Sequence, residues 1–434
     1  MEVTIHRGAK EIGGSCVEVL AGSTRVILDA GLPLVTPEQE PFDASVIRDK
    51  STEELLASGV IPQVPGLYTD GTSPDALLLS HCHLDHVGLL KFTRPEIPIY
   101  ATKGTSQMMS AGKMFAGREH LERDRHKPIT SRQPFTIGDI TVTPFAVDHS
   151  CYGSVAFLLE GDGKTVLYSG DLRAHGRKPG MIRDMVADVC KRRIDVLIME
   201  GTHIGSGRGA GRTEYQLEDE IRELIKGSKG LVLGSFSPID LDRVVTYYKA
   251  SRAAGRTFVA DVYTAYVMYM VARDIGIPNP AIQGNGIRVY FNEAFKRRSE
   301  ARRKRPEELF SGNSISLDEI RATPERYVMV FRPSMAGMDF GDELLPGSHC
   351  IYSYWKGYLE KPDWQTCQEQ LQKAEGTFTR AHVSGHIYID DLVELVHAIH
   401  PGTLIPIHTF EPGGFESLYG NVTLLKDGER YTVG

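Results

Sequence analysis

The chain has 434 residues, of which 41% are hydrophobic and 24% charged, and a formal net charge of −7. This composition is ordinary for a globular protein of two or three domains, or of one large α/β unit with an insertion, and the negative charge argues against a uniformly basic protein that coats nucleic acid. No apolar run approaches the ~20 residues of a membrane-spanning helix, and no basic region precedes an apolar stretch at the N-terminus, so we expect neither a membrane anchor nor a secretory leader.

The first half of the chain alternates short apolar runs with gaps rich in glycine and aspartate, which is the pattern of short strands joined by turns. We predict strands at Val3–Ile5, Ser15–Leu20, Thr24–Leu28, Leu77–Ser80, Ile140–Phe145, Ser154–Leu159, Thr165–Ser169 and Val196–Met199. Polar residues recur where these runs end, at Asp29, His149, Asp171 and Glu200. A rigid sheet whose strand ends share one edge is a good platform for a metal site.

The run His-Cys-His-Leu-Asp-His at residues 81–86 follows an apolar strand-like segment. Imidazole nitrogens and carboxylate oxygens are the ligands of zinc and similar divalent metals. His81 and His83 are two residues apart, so at an extended strand end their side chains can lie on one side. Asp85 and His86 follow where the chain turns and can face a second metal. One hexapeptide can therefore begin a two-metal hydrolytic site, whereas an accidental cluster of surface residues would have no further ligands downstream.

The pattern changes after about residue 205. A glycine-rich join at 205–211 precedes a capping-box sequence that opens a predicted helix over Thr213–Ile225. Apolar runs then alternate with helical stretches, and the runs are Leu231–Phe236, Phe258–Val262, Val328–Phe331 and Cys350–Tyr352. This alternation predicts parallel βαβ units and a second, Rossmann-like α/β domain. No Gly-x-Gly-x-x-Gly follows a strand, so a nucleotide cofactor is not indicated.

Polar strand-end residues return near the C-terminus, where a helix over Asp390–Ile399 and the apolar run Leu404–Ile407 lead to His408. A dinuclear centre needs two sets of ligands and a bridge. We assign one metal to His81, His83 and His149, the other to Asp85, His86 and His408, and the bridge to Asp171. Asp29 is interpreted as a residue that orients a ligand histidine, although an ordinary turn aspartate fits its spacing equally well.

The polar residues described above resemble the motifs of a known superfamily. Asp29, the 81–86 motif, His149 and Asp171 resemble the metallo-β-lactamase fold in its nuclease branch. Three later segments resemble the β-CASP subgroup of that superfamily, above all ribonuclease J and the mRNA 3′-end processing endonucleases. The segments are Met199-Glu200-Gly201-Thr202, His382-Val383-Ser384-Gly385-His386 and Ile405-Pro406-Ile407-His408.

The resemblance implies an α/β fold of a particular kind. Residues 1–204 and 381–434 would form a metallo-β-lactamase αβ/βα sandwich, divided into an N-terminal and a C-terminal part. Residues 205–380 would form an inserted, Rossmann-like β-CASP domain, with the substrate cleft at the junction. The family's third C-terminal motif is a histidine in RNA-acting members and usually an aliphatic residue in DNA-acting ones, so His408 favours RNA.

The resemblance also implies roles for residues outside the ligand set. His386 would act as general acid or stabilise the transition state, oriented by Glu200, and the chemistry agrees because an imidazolium paired to a carboxylate can donate to a developing oxyanion. His382 and Ser384 would contact substrate phosphate. Arg332 stands where ribonuclease J carries a nucleotide-recognising Gly-Ser-Gln-Gly-type loop, and a phosphate contact or a plain surface position fits it equally.

We therefore predict a metal-dependent ribonuclease that hydrolyses phosphodiester bonds in single-stranded RNA with a hydroxide activated by two divalent metal ions. The catalytic residues would be Asp85, Asp171, His386 and Glu200. Zinc is the first choice on ligand type, with manganese as an alternative. Endonuclease and 5′-exonuclease action both stay open. The alternatives are a DNA nuclease or small-ester hydrolase on the same site, and a non-catalytic RNA-binding protein, which a full ligand set disfavours.

The spacing of the cysteines indicates the redox environment of the protein. The six cysteines are scattered and show no C-x-x-C spacing, which favours thiols in a reducing cytoplasm over a disulfide framework. Cys82 lies among the ligands, and we interpret it as structural rather than as a thiolate ligand. We expect no membrane partner, and a homo-oligomer stays open.

Overall fold

A computed structural model describes residues 1–36, 40–207 and 209–434. They form two compact units. The first comprises Met1–Lys113, Arg118–Gly211 and Gly385–Gly434, and the second comprises Met114–Gly117 and Arg212–Ser384. The domain ranges 1–204, 205–380 and 381–434 stay a prediction. Residue 208 of the predicted glycine-rich join lies outside the described residues.

The described strands are short, as the apolar runs predicted. In chain order they are β1 (Glu2–Arg7), β2 (Cys16–Ala21), β3 (Thr24–Leu28), β4 (Ala76–Leu78), β5 (Ile99–Thr102), β6 (His126–Ile129), β7 (Phe135–Ile137), β8 (Ile140–Ala146), β9 (Val155–Gly161), β10 (Lys164–Tyr168), β11 (Val196–Glu200), β12 (Val232–Ser235), β13 (Thr257–Asp261), β14 (Ile287–Tyr290), β15 (Tyr327–Val330), β16 (His349–Tyr352), β17 (Thr377–Arg380), β18 (Thr403–Ile407) and β19 (Arg430–Thr432). All eight strands predicted in the first half overlap one of these. The apolar patterns missed β5, β6 and β7, which are short and partly exposed.

Helices occur in both units. They are α1 (Thr52–Ala57), α2 (Leu84–Val87), α3 (Lys103–Ala116), α4 (Gly180–Val189), α5 (Glu214–Gly227), α6 (Leu241–Ala253), α7 (Val262–Ile275), α8 (Glu293–Lys296), α9 (Glu300–Phe310), α10 (Leu317–Ala322), α11 (Pro333–Met338), α12 (Pro362–Lys373) and α13 (Ile389–Ile399). Among the described residues, no helix has the length and apolar composition needed to cross a bilayer.

The first unit is built on two sheets packed against each other. One sheet has the order β19-β1-β2-β3-β4-β5-β6, and the other has the order β18-β11-β10-β9-β8-β7. Apolar side chains of both sheets share one buried core, which includes Val17 and Val26 of the first sheet and Phe157 and Val166 of the second. Burial of this apolar surface holds the layers together, at roughly 25 cal/mol for each Å² removed from water.

Helices cover the outer face of the second sheet. In β11, Val196 and Ile198 belong to the core between the sheets, whereas Leu197 and Met199 belong to a second core with α4 and α13. The strand is therefore buried on both faces, which explains its uninterrupted apolar sequence. Its last residue, Glu200, emerges at the sheet edge with its side chain still buried.

The second unit contains one six-stranded sheet in the order β14-β13-β15-β12-β16-β17. Every strand pair in it is parallel, so the predicted βαβ organisation is confirmed. The predicted capping box at the start of α5 is present, because Thr213 and Gln216 each accept the other's backbone N–H. The sequence patterns missed β14 and β17. β17 is partly exposed and lacks the apolar run that marks the central strands.

Candidate metal centre

Strand ends of the first unit bring polar side chains into one buried group. Asp29 follows β3, Asp171 lies three residues beyond β10, and His408 follows β18 directly. Asp29 and His408 have left-handed backbones, with φ of 62° and 55°. Residues other than glycine rarely adopt this conformation, and such backbone strain concentrates at functional sites.

The hexapeptide 81–86 crosses from the end of β4 into the short helix α2. His81 stands just after the strand, whereas Asp85 and His86 are in the helix. The turn after β3 packs directly against this helix, since a Cβ on Gly31 would lie 1.8 Å from the Asp85 carbonyl oxygen. Glycine at this position therefore allows the two backbone segments to approach, and their side chains converge.

The first cluster, the three-histidine group, consists of His81, His83 and His149. Nε2 of His81 and Nε2 of His149 lie 3.1 and 3.0 Å from Nδ1 of His83. One ligand atom from each residue lies within 4.8 Å of the others. The structure thus brings together the three residues that the sequence assigned to one metal.

The outer hydrogen bonds of His81 and His149 leave the inner nitrogens of these two rings without protons. The Ser80 hydroxyl donates to Asp29 Oδ2 at 2.7 Å, so its oxygen accepts from Nδ1 of His81 at 3.1 Å. Nδ1 of His149 donates to the carbonyl oxygen of Gly385 at 2.6 Å. A neutral imidazole has one N–H, so Nε2 of each of these rings presents a lone pair.

Burial keeps these imidazoles neutral. It lowers the pKa of His83 to about 4 and holds the pKa of His81 and of His149 well below the usual histidine range. The neighbouring histidines act in the same direction, because each would repel a second positive charge. Nδ1 of His83 faces the unprotonated Nε2 atoms of His81 and His149 at about 3 Å, and as an N–H it could donate to only one of them at a time, so the arrangement fits a metal ion.

The second cluster, the carboxylate group, consists of Asp85, His86, Asp171 and His408, whose ligand atoms also lie within 4.8 Å of one another. Nδ1 of His86 donates to Asp29 Oδ2 at 2.8 Å, which leaves Nε2 directed towards Asp171 Oδ2 at 3.1 Å. Nε2 of His408 lies 3.2 Å from Asp85 Oδ2. Within the described part of the chain, Nε2 of His86 and both Asp171 carboxylate oxygens are buried without a partner in hydrogen-bond geometry.

Charge in the carboxylate group attracts a cation. Burial alone would raise the pKa of Asp171, but His408, His86 and His386 outweigh it and hold this pKa well below the usual range. Burial alone would lower the pKa of His86, but the carboxylates of Asp171 and Asp29 raise it well above the usual range. A proton satisfies this demand in the metal-free protein, and a divalent metal fits the same oxygen and nitrogen donors.

Asp171 lies between the two clusters. Its Oδ2 is 3.6 Å from Nε2 of His81 and 3.8 Å from Nε2 of His149, and it is also 3.8 Å from Nε2 of His408. One carboxylate oxygen therefore approaches donors of both the three-histidine group and the carboxylate group.

His386 and Glu200 form a pair beside Asp171. Nδ1 of His386 lies 3.2 Å from each Glu200 carboxylate oxygen and 3.7 Å from Asp171 Oδ2. Burial would lower the pKa of His386, but the two carboxylates raise it to about 9. The imidazole is therefore protonated at neutral pH.

Sequence reasoning missed two hydroxyls that organise the site. Thr202 Oγ1 donates to Glu200 Oε2 at 2.7 Å and lies 3.0 Å from Nδ1 of His408. Tyr168 donates its hydroxyl to Asp29 Oδ2 at 2.8 Å. Both residues stand next to strand ends that the sequence had marked, but nothing in their own spacing distinguishes them from ordinary strand-end residues.

The residues expected to bind phosphate belong to the second unit. Nδ1 of His382 lies 3.2 Å from Nη1 of Arg243, and burial together with that guanidinium lowers the pKa of His382 to about 3. Nε of Arg332 donates to Asp261 Oδ2 at 2.9 Å, while Nη2 of Arg332 is buried without a partner among the described residues. Ser384 is buried.

Residues 24–218 match the family profile described as Beta-lactamase superfamily domain. The chain is 25% identical over 362 residues to a Ribonuclease J from Mycolicibacterium smegmatis, which covers 81% of this chain and 60% of the relative. It is 29% identical over 246 residues to an RNase J-like protein from Methanocaldococcus jannaschii, which covers 54% of this chain and 50% of the relative. The chain therefore spans 50% to 60% of the length of these relatives.

The fold is shared with a solved protein. A crystal structure of a protein of unknown function from Enterococcus faecalis V583 superposes with a TM-score of 0.80 at 22% identity, and the match covers 99% of each chain. The predicted fold class is confirmed as an α/β metallo-β-lactamase αβ/βα sandwich with an inserted Rossmann-like domain. The resemblance to β-CASP nucleases of the ribonuclease J type, drawn from the motifs, is confirmed as well.

Proposed function

We propose that this chain, with its metallo-β-lactamase fold and its resemblance to ribonuclease J, is a metal-dependent ribonuclease that hydrolyses phosphodiester bonds. The observation that carries the proposal is the convergence of seven side chains whose metal-ligand atoms form two adjoining groups. They are His81, His83, Asp85, His86, His149, Asp171 and His408. We assign three histidines to one divalent ion, Asp85, His86 and His408 to another, and Asp171 to both.

Two such ions, when bound, would supply Lewis acidity towards the phosphate and lower the pKa of water. The protein's other residues hold these ligands in position. Asp29 accepts from both His86 and the Ser80 hydroxyl that supports His81, so one buried carboxylate orients a ligand of each cluster. Thr202 supports Nδ1 of His408 in the same way.

His386 is the acid in this proposal. Because its pKa is raised to about 9, the imidazole holds a proton at neutral pH and can donate it to a leaving oxygen or to a developing negative charge on phosphate. Glu200 holds the ring through Nδ1, which lies 3.2 Å from each of its carboxylate oxygens. We assign phosphate contacts to His382, Ser384 and Arg332, whose Nη2 is still available for one.

Single-stranded RNA is the proposed substrate, supported by the histidine at position 408 and by relatives named Ribonuclease J. Zinc is the metal we propose first, since five of the seven donors are imidazoles, and manganese is the alternative. The dispersed cysteines support a reducing cytoplasmic setting.

A substrate panel with two histidine variants tests this function. His83→Ala removes one donor of the three-histidine group, and His397→Ala removes an exposed histidine of the same unit as a matched control. We expect the wild type and His397→Ala to cleave labelled single-stranded RNA and His83→Ala to lose cleavage, with the product ladder giving the direction of attack. Cleavage of DNA or of a thioester in place of RNA would support the alternative hydrolases, and equal RNA cleavage by all three proteins would refute the site.

A further inference from the structure

Two cysteine thiols lie together beside the three-histidine group. Cys82 stands between His81 and His83, and Cys151 stands two residues after His149. Their Sγ atoms are 2.8 Å apart, although the residues are 69 positions apart in sequence. The two residues are 6% and 3% exposed, so the pair is largely buried but not fully enclosed.

We propose that Cys82 and Cys151 are a modification site, at which a peroxide forms a reversible disulfide. In the first step hydrogen peroxide oxidises one thiol to a sulfenic acid and releases water. In the second step the other thiol attacks the sulfenic sulfur, the S–S bond forms and a second water leaves. The two sulfurs lose two electrons and the peroxide gains two, and an added thiol reverses the reaction by two exchange steps.

The effect of this disulfide on the metal rests on the proposed function. An S–S bond is about 2.05 Å long, so the two sulfurs must approach by roughly 0.8 Å. Metal–ligand distances are held to about 0.2 Å, and every ligand of the three-histidine group stands within two residues of one of these cysteines. The bond therefore displaces these ligands and loosens the metal they hold, which couples oxidant exposure to loss of activity.

Peptide mass spectrometry of the full-length protein tests the modification. All proteins carry Cys190→Ser, which removes the exposed thiol that would otherwise link two molecules. After hydrogen peroxide we expect a linked peptide containing both cysteines, lighter by about 2 Da than the two separate peptides and separated again by dithiothreitol. The linked peptide should persist in Cys16→Ala, which removes another buried thiol, and disappear in Cys82→Ala. Peroxide treatment that yields sulfinic acid or no change at Cys82 and Cys151 would overturn the proposal.

Zinc retention tests the consequence on the same samples. We expect peroxide to weaken zinc binding about tenfold in a chelator competition, with recovery after reduction and no such change in Cys82→Ala. A linked peptide with unchanged zinc affinity would overturn the coupling. A chain that binds neither zinc nor manganese in either redox state would refute the proposed function, whereas the linked peptide would still establish the disulfide.

Discussion

The carboxylate group of the first unit and the Arg243–Glu214 pair of the second unit both contain buried charge, but the two carboxylates Asp171 and Glu214 differ in their hydrogen-bond partners. Glu214 is 0% exposed, and its oxygens accept from Arg243 at 2.8 and 3.2 Å and from the Thr246 hydroxyl at 2.8 Å. Asp171 is 2% exposed, and within the described residues neither of its oxygens has a hydrogen-bond partner.

This difference distinguishes a carboxylate that is paired within the chain from one that we propose to be a metal ligand. A buried charge is costly unless donors surround it, and most buried polar groups are therefore hydrogen-bonded. Glu214 meets this requirement because Arg243 and Thr246 donate hydrogen bonds to its carboxylate. Asp171 has charged histidines nearby, but within the described residues its oxygens and Nε2 of His86 have no partner in hydrogen-bond geometry, which fits the metal we propose there. We therefore expect removal of the two carboxylates to have different effects: loss of Asp171 should reduce activity, and loss of Glu214 should reduce stability.

Loss of Asp171 should affect catalysis more strongly than any other change considered below. Asp171→Ala should reduce RNA cleavage about 10⁴-fold, equivalent to roughly 5.5 kcal/mol, because it removes the oxygen that approaches both clusters. The variant should stay folded, because no described donor is in hydrogen-bond geometry with Asp171, although His86 loses a charged neighbour. Single-turnover cleavage and urea unfolding of the same preparation measure both quantities. An unfolded variant would mean that Asp171 is structural, like Glu214.

The next effect is on stability. Glu214→Gln should reduce the free energy of unfolding by about 3–5 kcal/mol, because Arg243 would stay buried without its counter-charge. Asp219→Asn on the exposed face of the same helix should change it by less than about 1 kcal/mol. Urea titration compares the two variants, and equal stabilities would remove the contrast between the two units.

A third effect separates metal binding from proton donation. His386→Gln should slow RNA cleavage about 10²-fold while the metal content stays at the wild-type level, because we assign this residue to acid catalysis. Wild-type activity should fall as the pH rises through about 9, where His386 loses its proton, and the variant should lack this decline. A pH–rate profile of both proteins measures it. Loss of metal in His386→Gln would identify the residue as a ligand instead.

The last effect, the smallest for each pH unit, concerns His382, whose surroundings keep it neutral. The unfolded side chain takes up a proton as the pH falls through 6.5, whereas the folded one stays neutral down to about 3. The unfolded state thus binds more protons in this window, and the residue costs up to about 1.4 kcal/mol of stability per pH unit on acidification. Urea unfolding between pH 7 and pH 4 should therefore weaken the wild type more than His382→Gln. Parallel curves for the two proteins would contradict the inferred burial of a neutral ring.

Much of the candidate site was readable from the sequence because each residue follows an apolar run. Asp29, His149 and Asp171 stand beyond predicted strands, and the hexapeptide supplies four donors in six positions. The structure brings all seven proposed ligands into two adjoining clusters. The fold class followed from the same runs and the motifs together.

The supporting contacts were not readable because their partners are distant in the chain. Tyr168 reaches Asp29 across 139 positions, and Thr202 reaches His408 across 206. The sequence position of a single hydroxyl residue contains no periodic pattern from which such a distant partner could be predicted. The Glu214–Arg243 pair was also missed, since a charged residue near a helix start normally indicates an exposed position.

Elemental analysis of the purified chain, combined with a labelled single-stranded RNA cleavage time course on the same sample, tests whether the two clusters bind metal and use it to cleave RNA. We predict about two equivalents of zinc or manganese per chain, together with RNA cleavage that chelation abolishes and metal addition restores. A chain that holds no metal after reconstitution, or that cleaves RNA equally well without it, would contradict the account.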